Sequence, residues 1–242
     1  RPSSMSRTIH PVSDSDGESA GLAAEAEGAG RQDTEGGKVN VEKLADGRVR
    51  SFPHVDGNFP GFVFLSLART PGLLEAAVEA VKLAKPLLGQ GRTVHMLMSD
   101  EFHISLSRTF AVRRHQIEPM VQQLRMELRS QPEFGGRLEG VGLYTNDERT
   151  RSFVGLRVSS GQEKISSLVR GVDRVMGRHK LQAFWPAHDF HVSVAWAAGD
   201  LPSEAPAVVT CAEGDARAVG FSVPSVRSKI GARSYTFRLR SK

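Results

Sequence analysis

The chain has 242 residues, a formal net charge of +5 and 39% hydrophobic residues. These values exclude a wholly disordered chain, and no apolar run reaches the roughly 18 residues that a membrane span needs. The N-terminus lacks the apolar core of a signal peptide, and the single cysteine, Cys211, cannot form an internal disulfide. We therefore expect a globular protein of a reducing compartment, without secretion or membrane insertion.

Residues 1–50 are predicted to form a disordered tail, and residues 51–242 a folded domain. The tail has no aromatic residue and is rich in Gly, Ala, Ser, Asp and Glu, so it buries too little apolar surface to offset its ordering entropy. It holds seven basic and nine acidic residues, which leaves 25 basic and 18 acidic residues, a balance of +7, for the domain. A basic domain favours a polyanionic partner, with nucleic acid first and a membrane surface second.

Hydrophobic periodicity predicts alternating strands and helices in both halves of the domain. The first half gives a strand at 62–67, a helix at 73–88, strands at 94–98 and 103–110, and a helix over 117–128 with Pro119 in its first turn. The second half gives strands at 138–144 and 151–158, a helix at 162–178, and strands at 191–196, 217–226 and 233–239. This order predicts an α+β fold of two similar lobes that face each other across a groove.

A His-x-Ser motif occurs once in each half, each time in a predicted strand. Side chains alternate between the two faces of a strand, so His103 and Ser105 share a face, as do His191 and Ser193. If these faces converge, one neutral imidazole can accept a proton from an attacking 2′-hydroxyl while a protonated imidazole donates one to the leaving 5′-oxygen. The serine hydroxyls can donate to the non-bridging phosphate oxygens. The pattern indicates catalysis on a phosphodiester.

The same residue types also occur in other kinds of site. A single His-x-Ser is often only a hydrogen-bonded structural histidine, and paired histidines can also bind a metal ion. First-row metals usually take three or four His, Cys or carboxylate ligands, and no carboxylate cluster accompanies either motif, so we predict no metal. No Gly-x-Ser-x-Gly elbow supports a serine hydrolase. Cys211 has apolar neighbours and is interpreted as a buried residue rather than a nucleophile.

Four segments resemble the 2H phosphoesterase superfamily and, within it, the family of U6 snRNA phosphodiesterases. The first motif in its setting, Glu101 to Thr109, is similar to the family's first signature, and Arg113 to Pro119 to its continuation. Tyr144 to Phe153 resembles the central segment, and Phe190 to Trp196 the second motif. The resemblance covers residues 55–240.

The resemblance implies a 2H phosphoesterase fold, with two pseudo-symmetric lobes whose antiparallel sheets line a central groove and whose helices lie outside. It implies a 3′-to-5′ RNA exonuclease that trims the uridine-rich end of U6 snRNA in the nucleus and leaves a 2′,3′-cyclic phosphate, which some members of the family open to a phosphate. His103 and His191 would be catalytic, and Ser105 and Ser193 would bind substrate. An aromatic residue six positions before the second histidine, here Trp185, would stack on the terminal base, although a buried core indole is the competing interpretation.

These features lead us to expect a monomer that uses no metal or other cofactor and binds RNA but not membranes. Either histidine can act as the base, and we favour His191 as base and His103 as acid. Two alternatives remain within the superfamily: a 2′–5′ RNA ligase-like protein, or a phosphodiesterase of small cyclic nucleotides. A third alternative is an RNA-end binding module without catalysis, against which the two intact motifs argue.

Overall fold

The computed structural model describes residues 11–12, 55–89, 91–97, 102–186, 189–209 and 218–241. Within these ranges the helices are α1 (Pro71–Ala84), α2 (Arg114–Leu128) and α3 (Gln162–Arg178). The strands are β1 (Pro11–Val12), β2 (Asn58–Leu67), β3 (Val94–Met96), β4 (Phe102–Ser105), β5 (Phe110–Arg113), β6 (Phe134–Asn146), β7 (Arg151–Ser160), β8 (His191–Ala198), β9 (Val208–Val209), β10 (Val219–Val223), β11 (Ser225–Ile230) and β12 (Arg233–Arg238). Apart from β1, the predicted tail over residues 1–50 lies outside the described residues, as does Cys211.

Local sequence accounts for where the helices begin. The hydroxyl of Thr70 accepts a hydrogen bond from the Leu73 amide at the start of α1, and Pro71 occupies the first helical position. The helix predicted over 73–88 is α-helical only to Ala84 and continues as a 3-10 turn, because Pro86 has no N–H for an α-helical hydrogen bond. The bounds predicted for α3 are those observed.

Pro119 lies inside α2 rather than in its first turn. The helix begins at Arg114, where the side chain of Gln116 accepts a hydrogen bond from the Arg113 amide at 2.8 Å. Because of this capping interaction, the helix begins three residues before Ile117, the first apolar residue of the predicted helix. The proline ring is therefore accommodated as the sixth residue of the helix.

The described strands form two sheets. Within each sheet, neighbouring strands run antiparallel, except that β1 runs parallel to β6. One sheet has the order β1-β6-β7-β8-β3, with β9 and β10 also paired to β6. The other has the order β12-β11-β2-β4, with β5 also paired to β2. The predicted α+β class and antiparallel sheets are confirmed.

The strand predicted over 103–110 is two strands. β4 pairs with Phe64–Leu67 of β2, and β5 pairs with Asn58–Gly61 of the same strand. Between them the hydroxyl of Ser107 accepts a hydrogen bond from the Val63 amide at 2.9 Å, in place of a backbone carbonyl. The serine hydroxyl thus provides a hydrogen-bond acceptor for the Val63 amide at the point where the backbone between β4 and β5 no longer pairs with β2.

The strand predicted over 217–226 is also two strands, and they belong to different sheets. Pro224 has no amide hydrogen to donate, and it separates β10, which pairs with β6, from β11, which pairs with β2. β3, from the first half of the chain, pairs in turn with β8. The two sheets are therefore not the two halves of the sequence, since each half contributes strands to the other's sheet.

One hydrophobic core lies between the helices and one face of both sheets. It contains alternate residues of the motif strands and their neighbours, such as Val63, Leu65, Ile104 and Val192, each with no exposed surface. The apolar faces of all three helices join the same core. None of the described helices is long and apolar enough to cross a membrane. Residues at the intervening positions of the strands face away from this core.

Candidate active site

The first motif lies in β4, at the edge of the smaller sheet. Ile104 is buried in the core, so His103 and Ser105 face the opposite side of the sheet, and both are partly exposed. His103 stands opposite Ser66, and Ser105 stands opposite Phe64. The imidazole contacts two phenyl rings, with centroid distances of 5.9 Å to Phe62 and 5.5 Å to Phe64.

The second motif lies in β8 of the larger sheet. Val192 is in the core, so His191 and Ser193 face away from it, as predicted from the alternation of the strand. His191 stands opposite Arg157, and Ser193 stands opposite Gly155. The ladder then shifts by one residue at Val194. Such a bulge increases the local twist of a strand and is common beside active sites.

The two motif strands lie next to each other. β4 and β8 are in contact, although they belong to different sheets, and their core-facing residues enter the same hydrophobic core. The two His-Ser pairs therefore occupy the opposite face, on neighbouring strands. Each His-Ser pair thus faces away from the core on one of two strands that contact each other, and the convergence of the four side chains on one substrate stays a prediction.

The backbone sets the tautomer of His191. Its Nδ1 lies 2.8 Å from the carbonyl oxygen of Asp189, and a carbonyl can only accept a hydrogen bond. Nδ1 therefore carries a hydrogen, and in the neutral ring the lone pair is on Nε2. An imidazole held in this way is suited to accept a proton at Nε2.

Tyr144 packs flat on His191, a contact that the sequence analysis missed. The ring centroids are 3.7 Å apart and the planes differ by 17°. Tyr144 belongs to β6 and His191 to β8, so the phenol must cross the intervening strand. Glycines make this crossing possible: a Cβ on Gly155 would lie 2.8 Å from Cε2 of Tyr144, and one on Gly142 would lie 2.5 Å from its hydroxyl oxygen. The paired strand glycines were the available sequence signal.

The carboxylate of Asp189 is held by two groups. It accepts a hydrogen bond from the hydroxyl of Tyr144 at 3.3 Å and forms an ion pair with Arg157 at 3.3 Å. Burial, and then the nearby charge of Asp189, raise the pKa of Tyr144 well above its ordinary value, so the hydroxyl remains a donor. Tyr144 and Arg157 thus fix the residue whose carbonyl orients His191.

Trp185 contacts Arg108, in the loop after the first motif, and Asp147, in the turn between β6 and β7. Its side chain is only 8% exposed, and the guanidinium of Arg108 lies 4.2 Å from the ring centroid. Arg108 also pairs with Asp147 at 2.7 Å, and the indole Nε1 donates to the same carboxylate at 3.3 Å. The ring is therefore largely buried beneath a cation, and its role in stacking on a base stays a prediction.

A metal ion would need three or more ligands in the described part of the chain. No group of three or more His, Cys, Asp or Glu side chains there is arranged to hold a metal ion. The contacts described above for His103 and His191 are with aromatic rings and a backbone carbonyl. What the site offers chemically is proton transfer by two histidines and hydrogen-bond donation by two serines.

Sequence comparisons relate the chain to one family model and to proteins named U6 snRNA phosphodiesterase 1. A model of the family described as "HVSL: Uncharacterised conserved protein" matches residues 31–238. U6 snRNA phosphodiesterase 1 of Bos taurus is 38% identical over 169 residues, which are 69% of this chain and 61% of that protein. U6 snRNA phosphodiesterase 1 of Drosophila melanogaster is 32% identical over 199 residues, which are 80% of this chain and 75% of that protein. The chain thus spans less than two thirds of the bovine relative.

Solved structures share the fold. Usb1 of Kluyveromyces marxianus matches with a TM-score of 0.56 at 17% identity, over 74% of this chain and 98% of that one. The same protein with uridine monophosphate matches with a TM-score of 0.60 at 16% identity, over the same shares. The α+β fold expected from the resemblance is therefore confirmed.

Proposed function

Because the chain belongs to the family of U6 snRNA phosphodiesterase 1 proteins, we propose that it is a 3′-to-5′ RNA exonuclease that trims the uridine-rich 3′ end of U6 snRNA in the nucleus. The observation that carries this proposal is the placement of both His-x-Ser motifs on neighbouring strands, facing away from one shared core. The basic balance of the domain supports an RNA substrate. The proposed enzyme acts as a monomer and needs neither a membrane nor a cofactor.

The proposed reaction is an internal transesterification. Nε2 of His191 accepts the proton of the 2′-hydroxyl of the penultimate nucleotide, and the 2′-oxygen forms a bond to the adjacent phosphorus. The bond from phosphorus to the 5′-oxygen of the terminal nucleoside breaks, and protonated His103 donates a proton to that oxygen. The shortened RNA ends in a 2′,3′-cyclic phosphate. The hydrogen bond from Nδ1 of His191 to the Asp189 carbonyl supports the choice of this histidine as base.

The serines stabilise the charge that develops on phosphate. Ser105 and Ser193 lie two residues after the histidines on the same strand faces. Their hydroxyls donate to the two non-bridging oxygens, where negative charge increases in the transition state. Proton transfer and charge stabilisation are thus assigned to four side chains, and the scheme includes no metal-bound step.

The proposal is tested with oligouridine labelled at the 5′ end or at the 3′ end and incubated in EDTA. We expect stepwise shortening of the 5′-labelled strand, release of a labelled mononucleoside from the 3′ end, and a new end that resists phosphatase until acid opens the cyclic phosphate. Internal cleavage would contradict the exonuclease assignment. Turnover of small cyclic nucleotides without shortening of RNA would favour the alternative 2H activity, and binding without turnover would favour an RNA-end binding module.

A further inference from the structure

A row of side chains leads away from the first motif across the smaller sheet. Ser105 of β4 stands opposite Phe64 of β2, and Phe64 stands opposite Arg227 of β11. Directly opposed residues of antiparallel strands project to the same face, so all three side chains share the face of His103. The guanidinium of Arg227 lies 5.7 Å from the centroid of Phe64, whose ring also contacts His103.

A second, parallel row contains another cation. Lys229, two residues after Arg227, stands opposite Phe62. The rings of Phe62 and Phe64 stack with centroids 4.8 Å apart and planes 28° apart. Both phenylalanines are nearly buried, yet neither belongs to the hydrophobic core between helices and sheets. They form an apolar floor on the active-site face, between the first motif and the two cations.

The opposite face of β11 shows that this orientation is fixed. Val226 and Ser228 have no exposed surface, and Ile230 has 2%. The hydroxyl of Ser228 donates to the carbonyl of Phe62 at 3.1 Å, which ties β11 to β2 on the core side. A one-residue slip would place both cations in the core, so the register holds Arg227 and Lys229 on the side of His103.

We propose that Arg227 and Lys229 form a binding subsite for RNA phosphates on the 5′ side of the scissile bond; this inference rests on the proposed function. Adjacent strands are about 4.8 Å apart, so the Arg227 backbone is roughly two strand spacings, about 10 Å, from that of Ser105. In the first cleavage of an RNA with a free 3′ hydroxyl group, the terminal nucleoside carries no phosphate beyond the scissile one. Phosphates that meet cations farther along this face therefore belong to nucleotides on the 5′ side.

The chemistry of the subsite determines which part of an RNA strand it recognises. Arginine and lysine bind phosphate without regard to base, and the phenyl floor lowers local hydration, which strengthens the attraction. The subsite would therefore favour longer single strands over dinucleotides, whatever their sequence. Preference for uridine must arise elsewhere in the site.

The test compares Arg227→Gln and Lys229→Gln with a matched control, Arg233→Gln. Arg233 is an exposed cation of the same β11-β12 hairpin, but it stands opposite buried Ile230, on the other face of the sheet. For each protein, kcat/KM is measured on octauridylate and on the dinucleotide UpU over a range of salt concentrations. Binding is measured with 5′-fluorescent octauridylate in which every ribose is 2′-deoxy, so that it cannot undergo transesterification. Thermal unfolding checks that each variant is folded.

We expect the ratio of kcat/KM for octauridylate to that for UpU to fall about tenfold in each subsite variant, but not in Arg233→Gln. The slope of log binding constant against log salt should decrease by about 0.7 for each lost phosphate contact. If folded variants of both residues keep the wild-type ratio and slope, the subsite does not exist. Wild-type protein that cleaves neither substrate but loses binding on substitution would refute the proposed function while supporting the subsite.

Discussion

The phenol ring of Tyr144 lies against the imidazole of His191, with centroids 3.7 Å apart, although the two residues are on strands separated by β7. The same tyrosine donates a hydrogen bond to Asp189, whose carbonyl oxygen accepts the Nδ1 hydrogen of His191. One side chain thus fixes the plane of the histidine directly and supports its hydrogen-bond partner. This arrangement positions His191 through an aromatic ring and a backbone carbonyl.

Gly155→Ala should therefore reduce catalysis by displacing Tyr144 and His191. The added Cβ would lie 2.8 Å from Cε2 of Tyr144 and 3.0 Å from Cδ2 of His191, closer than such atoms approach without movement. We expect kcat on oligouridine to fall by about 10²-fold, with a smaller change in KM, because misplacing a catalytic group by about 1 Å can have that effect. Steady-state kinetics measure both values.

Gly220→Ala provides the control for this substitution. Gly220 lies in β10 of the same sheet, and a Cβ there would meet nothing within 4 Å. Its kcat should stay close to that of the wild type. Equal losses in the two variants would mean that alanine weakens the sheet rather than the contact between Tyr144 and His191.

His103→Ala and His191→Ala should each abolish trimming while the protein remains folded. Proton transfer by a positioned group contributes roughly 10²–10⁴ in rate, and either loss stops the same step. The rate of trimming is measured in single-turnover assays on oligouridine. Thermal unfolding checks that each variant is folded. Substantial activity in either folded variant would refute the assignment of acid and base.

A 2′-deoxyribose at the penultimate nucleotide should block removal of the terminal nucleoside. The substitution deletes the proposed nucleophile, whereas phosphate contacts and base stacking, which dominate affinity for single strands, remain. Cleavage of the modified oligouridine is compared with that of the all-ribose strand, and binding is measured by competition. Cleavage at the normal rate would mean that water attacks, and the transesterification would be wrong even if both histidines were essential.

Trp185→Ala should weaken binding of the 3′-terminal base by about 1–3 kcal/mol if this ring stacks on it, and Trp185→Phe should retain most of the affinity. The guanidinium of Arg108 lies over the ring, so a base must displace it or use the other ring face. KM and kcat are measured on strands with and without a terminal base. A fall in thermal stability without a change in KM would instead assign Trp185 to the cluster with Arg108 and Asp147.

Glu127 should make folding sensitive to acid. The hydrogen bond from Arg174, partly opposed by burial and supported by Arg178, holds the pKa of Glu127 below its ordinary value. The folded-state pKa is thus below the unfolded value, so the stabilisation is complete above that unfolded value, about 4.3, and is lost as pH falls through the folded value. Both arginines are half exposed, which limits the contribution to about 0.5–1 kcal/mol at neutral pH.

Urea unfolding of Glu127→Gln and the wild type at several pH values tests this prediction. The difference in free energy of unfolding should be constant from pH 6 to 8 and should vanish in the acid range. Glu75→Gln, at an exposed position of α1, should show no such trend. A difference that grows as the pH falls would have the wrong sign for a carboxylate stabilised by arginine.

Local sequence determined the elements that carry the motifs. Alternation along a strand depends only on neighbouring residues, so the shared faces of His103 with Ser105 and of His191 with Ser193 followed from their spacing. The bounds of α3 followed in the same way, because its apolar residues recur at the helical period along a single segment. The α+β class could be predicted because these local patterns alternate along the domain.

Only the tertiary structure decided which strands become neighbours. β3 joins β8, and β11 joins β2 across more than 150 residues of sequence, because each strand buries its apolar face where a partner offers open hydrogen bonds. Tyr144 reaches His191, and Arg227 lies beside Phe64, through pairings of this kind. No local pattern encodes such contacts, because their energy depends on register between strands that are distant in the chain.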